Sequence, residues 1–110
     1  MKITSTRFLD LRVLEPVVYK DPRGHFMESY NQRLLREAGI TETFIQDNQS
    51  LSKKGVLRGL HFQKPPHAQS KLIRVLAGSI WDVVVDLRKN QATFGEYYAT
   101  ELSSENRKQL

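Results

Sequence analysis

The residues of this chain most able to do chemistry lie in one stretch, GVLRGLHFQKPPHAQSKLIRVLAG, residues 55–78, which holds His61 and His67 with Arg58, Lys64, Lys71 and Arg74 and no acid. The acid-free run extends over residues 51–81 and adds Lys53 and Lys54. So much uncompensated positive charge beside a histidine suits an anionic partner such as a phosphate or a nucleotide. Within VLRGLHFQ, strand alternation puts Val56, Arg58, Leu60 and Phe62 on one face, and Leu57, Gly59, His61 and Gln63 on the other. Gly59 then leaves open space before the sheet beside His61, as a closely approaching ligand requires. The plainer alternative makes Gly59 a bulge and His61 a hydrogen-bonded core histidine. Gln63, Gln69 and Lys71 in the same short segment weigh against it.

These side chains need a scaffold, and the local pattern is strand-like: β-branched and aromatic residues bounded by Gly, Pro, Asp and Asn. Strands are expected near 2–8, 14–20, 25–30, 43–50, 57–63, 70–76, 80–87 and 97–102. The sequence DPRG, residues 21–24, forms a turn, with Pro22 where its fixed φ helps. One helix interrupts, NQRLLREAG, with Asn31 as its N-cap, Leu34, Leu35 and Ala38 inward, and Gly39 as its stop. In SIWDVVVDLR, Asp82, Val84 and Asp86 share one face, and Trp81, Val83 and Val85 the other. A carboxylate pair opposite an apolar stripe implies that one side of this strand meets something polar. Asp82 could orient His61 if their strands adjoin, but solvation at the surface is the favoured reading. Short strands at this spacing argue for an antiparallel sandwich or barrel.

Composition narrows the class. The 110 residues carry 17 basic and 12 acidic side chains, for a net charge of +5, and read as one domain over 1–110. No apolar run approaches the roughly 20 residues of a membrane helix, and the N-terminus MKITSTRFLDLRV lacks the apolar core and cleavage site of a signal peptide. The absence of cysteine excludes disulfides and thiolate catalysis and fits a cytoplasmic protein. Basic charge also raises nucleic-acid binding. That reading ranks last, because Phe62 is the one aromatic besides the histidines between Leu51 and Trp81 and stacking surfaces interleave several with their cations.

The glycine frame resembles that of metal-binding cupins, in which a glycine, five residues, H-x-H, a short connection, a glutamate, six residues and a glycine follow one another. Here Gly55, His61 and Gly78 keep the frame, while Gln63 stands at the second histidine and Lys71 at the glutamate. An amide and a cation in place of two ligands disfavour a divalent metal. The pattern is that of a cupin strand pair turned to metal-free acid–base work, the two strands adjacent and facing one cavity.

Over essentially its whole length the chain resembles the dTDP-4-dehydrorhamnose 3,5-epimerases, through DPRGHFMESYN, FIQDNQSLSKKGVLRGLHFQKPPHAQSKLIRVLAGSIWDVVVDLR and ATFGEYYATELSSEN. The resemblance implies an all-β, cupin-like antiparallel jelly roll with one short helix, a homodimer, no cofactor and no metal. It implies epimerisation at C3 and C5 of a dTDP-linked 4-keto-6-deoxy sugar on the route to dTDP-L-rhamnose. His61 then matches the catalytic base, and Lys71 the lysine beside the keto oxygen. Arg58 falls in the pocket, which strict alternation does not allow without a local bulge. Arg23, Phe26 and Glu28 match nucleotide-binding positions lent across the dimer, and Gln46, Asp47 and Asn48 a polar segment lining the substrate site. Taken singly, Arg23 could solvate a turn, Phe26 could be core and the QDN segment a plain loop; their co-occurrence in register favours the site. His67, after Pro65 and Pro66, reads as a loop histidine.

The chain stops at SSENRKQL, where the family continues through further strands bearing a tyrosine acid and the aspartate that orients the histidine. The expectation is therefore a fragment or shortened version of the domain, or one completed by another chain, with epimerisation by these residues alone absent or slight. The rival readings are a related cupin ketoisomerase and a non-catalytic dTDP-sugar-binding or dimerisation module.

Overall fold

The computed structural model describes residues 1–110. Six strands pair as three separate antiparallel hairpins, with one short helix between the second and third. β1 (Lys2–Ser5) pairs with β2 (Arg12–Glu15), the register running from Lys2 opposite Glu15 to Ser5 opposite Arg12. Pro16 follows directly; it has no N–H to donate and ends the ladder. The expected strand over 14–20 is thus two strands in different sheets. β3 (Val18–Asp21) and β4 (Gly24–Met27) flank the expected DPRG turn, where the Arg23 N–H donates to Asp21 Oδ1 at 2.8 Å. An aspartate that caps its own turn in this way lets the chain reverse in two residues.

The helix α1 (Gln32–Glu37) follows its sequence signals closely. Asn31 Oδ1 accepts from the Leu34 N–H at 3.2 Å, Leu35 is buried, and Gly39 takes the left-handed φ of +83° just past the end. The Ile40 N–H then closes the last turn on the Leu35 carbonyl at 2.9 Å.

β5 (Ser79–Val85) and β6 (Tyr97–Ser103) make the longest ladder. Its inner face presents Val84, Tyr98 and Leu102 to Val13 of β2, Leu110, Leu11, Ile73 and Val75, which together form the main core. Phe8 is buried nearby with its ring edge-on to Tyr98 at 6.5 Å. The C-terminal residues tie the pieces together: the Gln109 and Leu14 backbones exchange hydrogen bonds at 2.9 Å, and Leu110 does the same with Ile73. Gln109 also donates from its side chain to the Ser29 carbonyl.

Three expected strands, over 43–50, 57–63 and 70–76, form no ladder; only Arg74 makes an isolated bridge, to Gln109. Residues 45–71 are exposed throughout, including Ile45 at 91%, Leu51 at 92% and Leu57 at 88%. The residue types there are those of strands, but residues 45–71 have no strand alongside; in the 70–76 segment Ile73 and Arg74 alone pair, with Leu110 and Gln109. β-propensity describes fitness for a pleated, half-buried surface, so without neighbours it stabilises nothing.

Candidate active site

The site residues expected from sequence fall into three groups. The first is on the β3–β4 hairpin. Asp21 holds the Arg23 guanidinium through Nε at 3.2 Å and Nη2 at 2.6 Å, and this guanidinium lowers the Asp21 pKa. Phe26 stands opposite Tyr19 in the ladder, and both rings are largely exposed. With Met1, Val17 and Glu28 they line a depression of about 250 Å³. β3 and β4 contact each other and no other strand or the helix. Sequence reading picked out Phe26 and missed Tyr19, whose cross-strand place follows once the DPRG turn fixes the register.

The second group is the QDN segment. Gln46, Asp47 and Asn48 are exposed, and the Gln46 amide donates to Asn48 Oδ1 at 3.0 Å.

The third group is the histidine segment. Arg58 folds back on its own loop, donating from Nε to Ser52 Oγ at 2.9 Å and from Nη2 to the Leu51 carbonyl at 3.4 Å. Gly59 has φ +113°, and a Cβ there would meet the His61 ring Cδ2 at 3.4 Å. The expected open space for a ligand beside Gly59 is not found: the imidazole of His61 takes it, and residues 57–63 form no sheet in front of which a ligand could approach. His61 is exposed, and so is Lys71. No ladder joins their segments, and the depression that Phe26 and Glu28 line does not include them.

The two carboxylates of the β5 face behave differently. Asp86 is buried, accepts from Arg88 through Nε at 2.9 Å and Nη2 at 2.8 Å, and accepts from Thr93 Oγ1 at 2.6 Å. These hydrogen bonds, Arg88 first, hold its carboxyl far below the ordinary carboxylate range. Asp82 sits on the same face, opposite Thr100 and two residues from Val84. Its Oδ2 is closed off from solvent and has no partner. Burial raises its pKa, against a smaller lowering by the Val83 N–H. Solvation of Asp82 at the surface, the favoured sequence reading, is therefore wrong. The alternation was right, but Val84 belongs to the core side and takes Asp82 with it.

The sequence profile of the dTDP-4-dehydrorhamnose 3,5-epimerase family matches residues 5–110. The chain belongs to this family. The Shigella flexneri dTDP-4-dehydrorhamnose 3,5-epimerase is 50% identical over 111 residues, covering all of this chain and 61% of the relative. The crystal structure of the Bacillus anthracis epimerase with TDP and pyrophosphate bound superposes with a TM-score of 0.93 at 49% identity, over 98% of this chain and 62% of that one. The Legionella pneumophila dTDP-6-deoxy-D-glucose-3,5-epimerase, in complex with dTDP-4-keto-L-rhamnose, gives 0.92 at 47% identity, over 98% and 57%. The chain thus spans about three fifths of the length of the curated relatives it matches. The all-β, cupin-type fold class expected from sequence is that of these neighbours. No helix is long and apolar enough to cross a membrane.

Proposed function

We propose that the protein epimerises C3 and C5 of a dTDP-linked 4-keto-6-deoxyglucose, giving dTDP-4-dehydro-L-rhamnose. The observation that carries this reading is the family match over residues 5–110, supported by the presence of His61 and Lys71, to which the sequence resemblance assigns the base and the lysine beside the keto oxygen. His61 takes the proton on the carbon next to the ketone, and the electron pair moves onto the keto oxygen. A solvent-derived proton is delivered to the opposite face of the enolate, and His61 returns its proton to water. Nothing is oxidised or reduced across the cycle. Lys71 supplies positive charge where the enolate oxygen develops, and one such donor is worth about 10²-fold or more in rate. Arg23, Phe26 and Glu28 hold the nucleotide, with the Phe26–Tyr19 aromatic pair offering a face for the base and Arg23 a cation for the diphosphate. Gln46, Asp47, Asn48 and Arg58 line the sugar end.

The β3–β4 hairpin contacts no other strand or helix of its own chain and displays Tyr19 and Phe26, so a homodimer in which it reaches the partner's site fits the geometry. A cysteine-free chain handling a nucleotide sugar fits the cytoplasm.

The test is isotope exchange. Incubated in D2O with dTDP-4-keto-6-deoxyglucose, a full-length version should place deuterium at both C3 and C5, read by proton NMR, whereas residues 1–110 alone should show little or none. Binding of the sugar nucleotide by the full-length version without exchange would instead favour a non-catalytic binding module, a reading to which the exposure of His61 and Lys71 lends weight.

A further inference from the structure

β3 and β4 touch no other strand and not the helix, so something else must set the angle at which this hairpin leaves the body. One buried residue reaches both of its stems. The Gln109 backbone exchanges hydrogen bonds of 2.9 Å with Leu14 in β2, shortly before β3 begins. Its side-chain Nε2 donates at 2.8 Å to the carbonyl of Ser29, just past the end of β4. No other hydrogen bond and no ion pair joins residues 18–29 to the rest of the chain.

The arm itself is firmly held. Gln109 is 1% exposed, bridges Leu14 on one side and Arg74 on the other, and precedes Leu110 in the main core. A side chain locked by its surroundings holds what it touches to a narrow range of geometry. Gln109 Oε1 takes no donor, so the polar contribution of this side chain is the single bond to Ser29. The hairpin magnifies what happens at its base. Strands of four residues carry the turn roughly 13 Å away, so a tilt of about 10° there moves Arg23 by about 2 Å.

We infer that Gln109 is a positioning residue, its side chain closing the base of the β3–β4 hairpin and so fixing the angle at which Arg23, Phe26 and Glu28 meet the nucleotide. This deepens the proposed function and rests on the hairpin's role in holding the nucleotide. The angle can be read without nucleotide or turnover, so its failure and that of the proposed function are separable.

The experiment uses a full-length version in which any cysteine beyond residue 110 is replaced by serine; residues 1–110 hold none. Spin labels at Lys20→Cys and Glu105→Cys, both exposed, span hairpin and body, and labels at Thr4→Cys and Glu105→Cys span the body alone. Pulsed electron-spin distance measurements on labelled chains diluted with unlabelled ones read distances within one chain. Gln109→Met keeps the length of the side chain and removes the donor. It should broaden or shift the 20–105 distance distribution and leave the 4–105 distribution unchanged. Calorimetric titration should show dTDP binding weakened about tenfold, the scale of one lost hydrogen bond. A 20–105 distribution like the parent's, or a 4–105 distribution that broadens with it, would overturn the positioning role. A displaced hairpin with dTDP affinity unchanged would remove the hairpin from nucleotide binding, and the role inferred for Gln109 with it.

Discussion

At the scale of single residues, Asp82 in β5 and Asp86 just past its end fall on one face by alternation, and what stands beside each decides its state. Asp86 has Arg88 two residues on and Thr93 across a short loop, so it is satisfied within its own connection. Its folded pKa lies below the ordinary 3.8, so it contributes stability that is complete above pH 3.8 and lost as pH falls through the folded value. Asp86→Asn should therefore lower the Tm at pH 7, and thermal melts taken downward from pH 5 should show that deficit shrinking below pH 3.8. A deficit that stays constant to pH 2 would mean that charge is not what Asp86 contributes. The spacing of Gly55 and Gly78 picks out His61 as a candidate base. The state of Asp82 was not legible, because Trp81, Val83 and Val85 form the more apolar stripe, whereas the interior is set by what Leu102, Val13 and Leu110 meet.

Among the elements, those with local signals were legible. The DPRG turn, the Asn31 cap and the Gly39 stop each depend on residues within a few positions, and each forms as expected. The segments 43–50, 57–63 and 70–76 have equally strand-like residues, yet a ladder is a relation between two segments and no local signal reports its absence. The register of β5 on β6 is held by the core side chains, and Leu102, fully buried, is central to them. Leu102→Ala should cost about 2–5 kcal/mol in urea unfolding. A loss under about 1 kcal/mol would show that this ladder does not rely on that core.

For the molecule as a whole, the radius of gyration is 15.1 Å, against about 13 Å for a compact chain of this length. The excess comes with the exposed residues 45–71 and the solitary β3–β4 hairpin. Large apolar side chains left uncovered in this way mark surfaces that take partners, and the outer face of β5 adds Trp81, 69% exposed. The proposed dimer should appear by light scattering at micromolar concentration as twice the chain mass of 12.7 kDa, and a monodisperse species of that single mass would remove it. The family was legible from long motifs because they record the residues of a site. How those residues come together was not, because the segments 43–50 and 57–63 have no strand alongside to order them, and 70–76 is held only through residues 73–75.

The central claim is that His61 is the base of an epimerase, and isotope exchange compared between a full-length parent protein and its His61→Asn variant tests it most directly. Asparagine keeps polarity and cannot take the proton. Deuterium entry at C3 and C5 of the dTDP-4-keto sugar should fall to background in His61→Asn, while dTDP affinity stays within a few-fold of the parent's. Exchange that persists unchanged in His61→Asn would contradict the assignment.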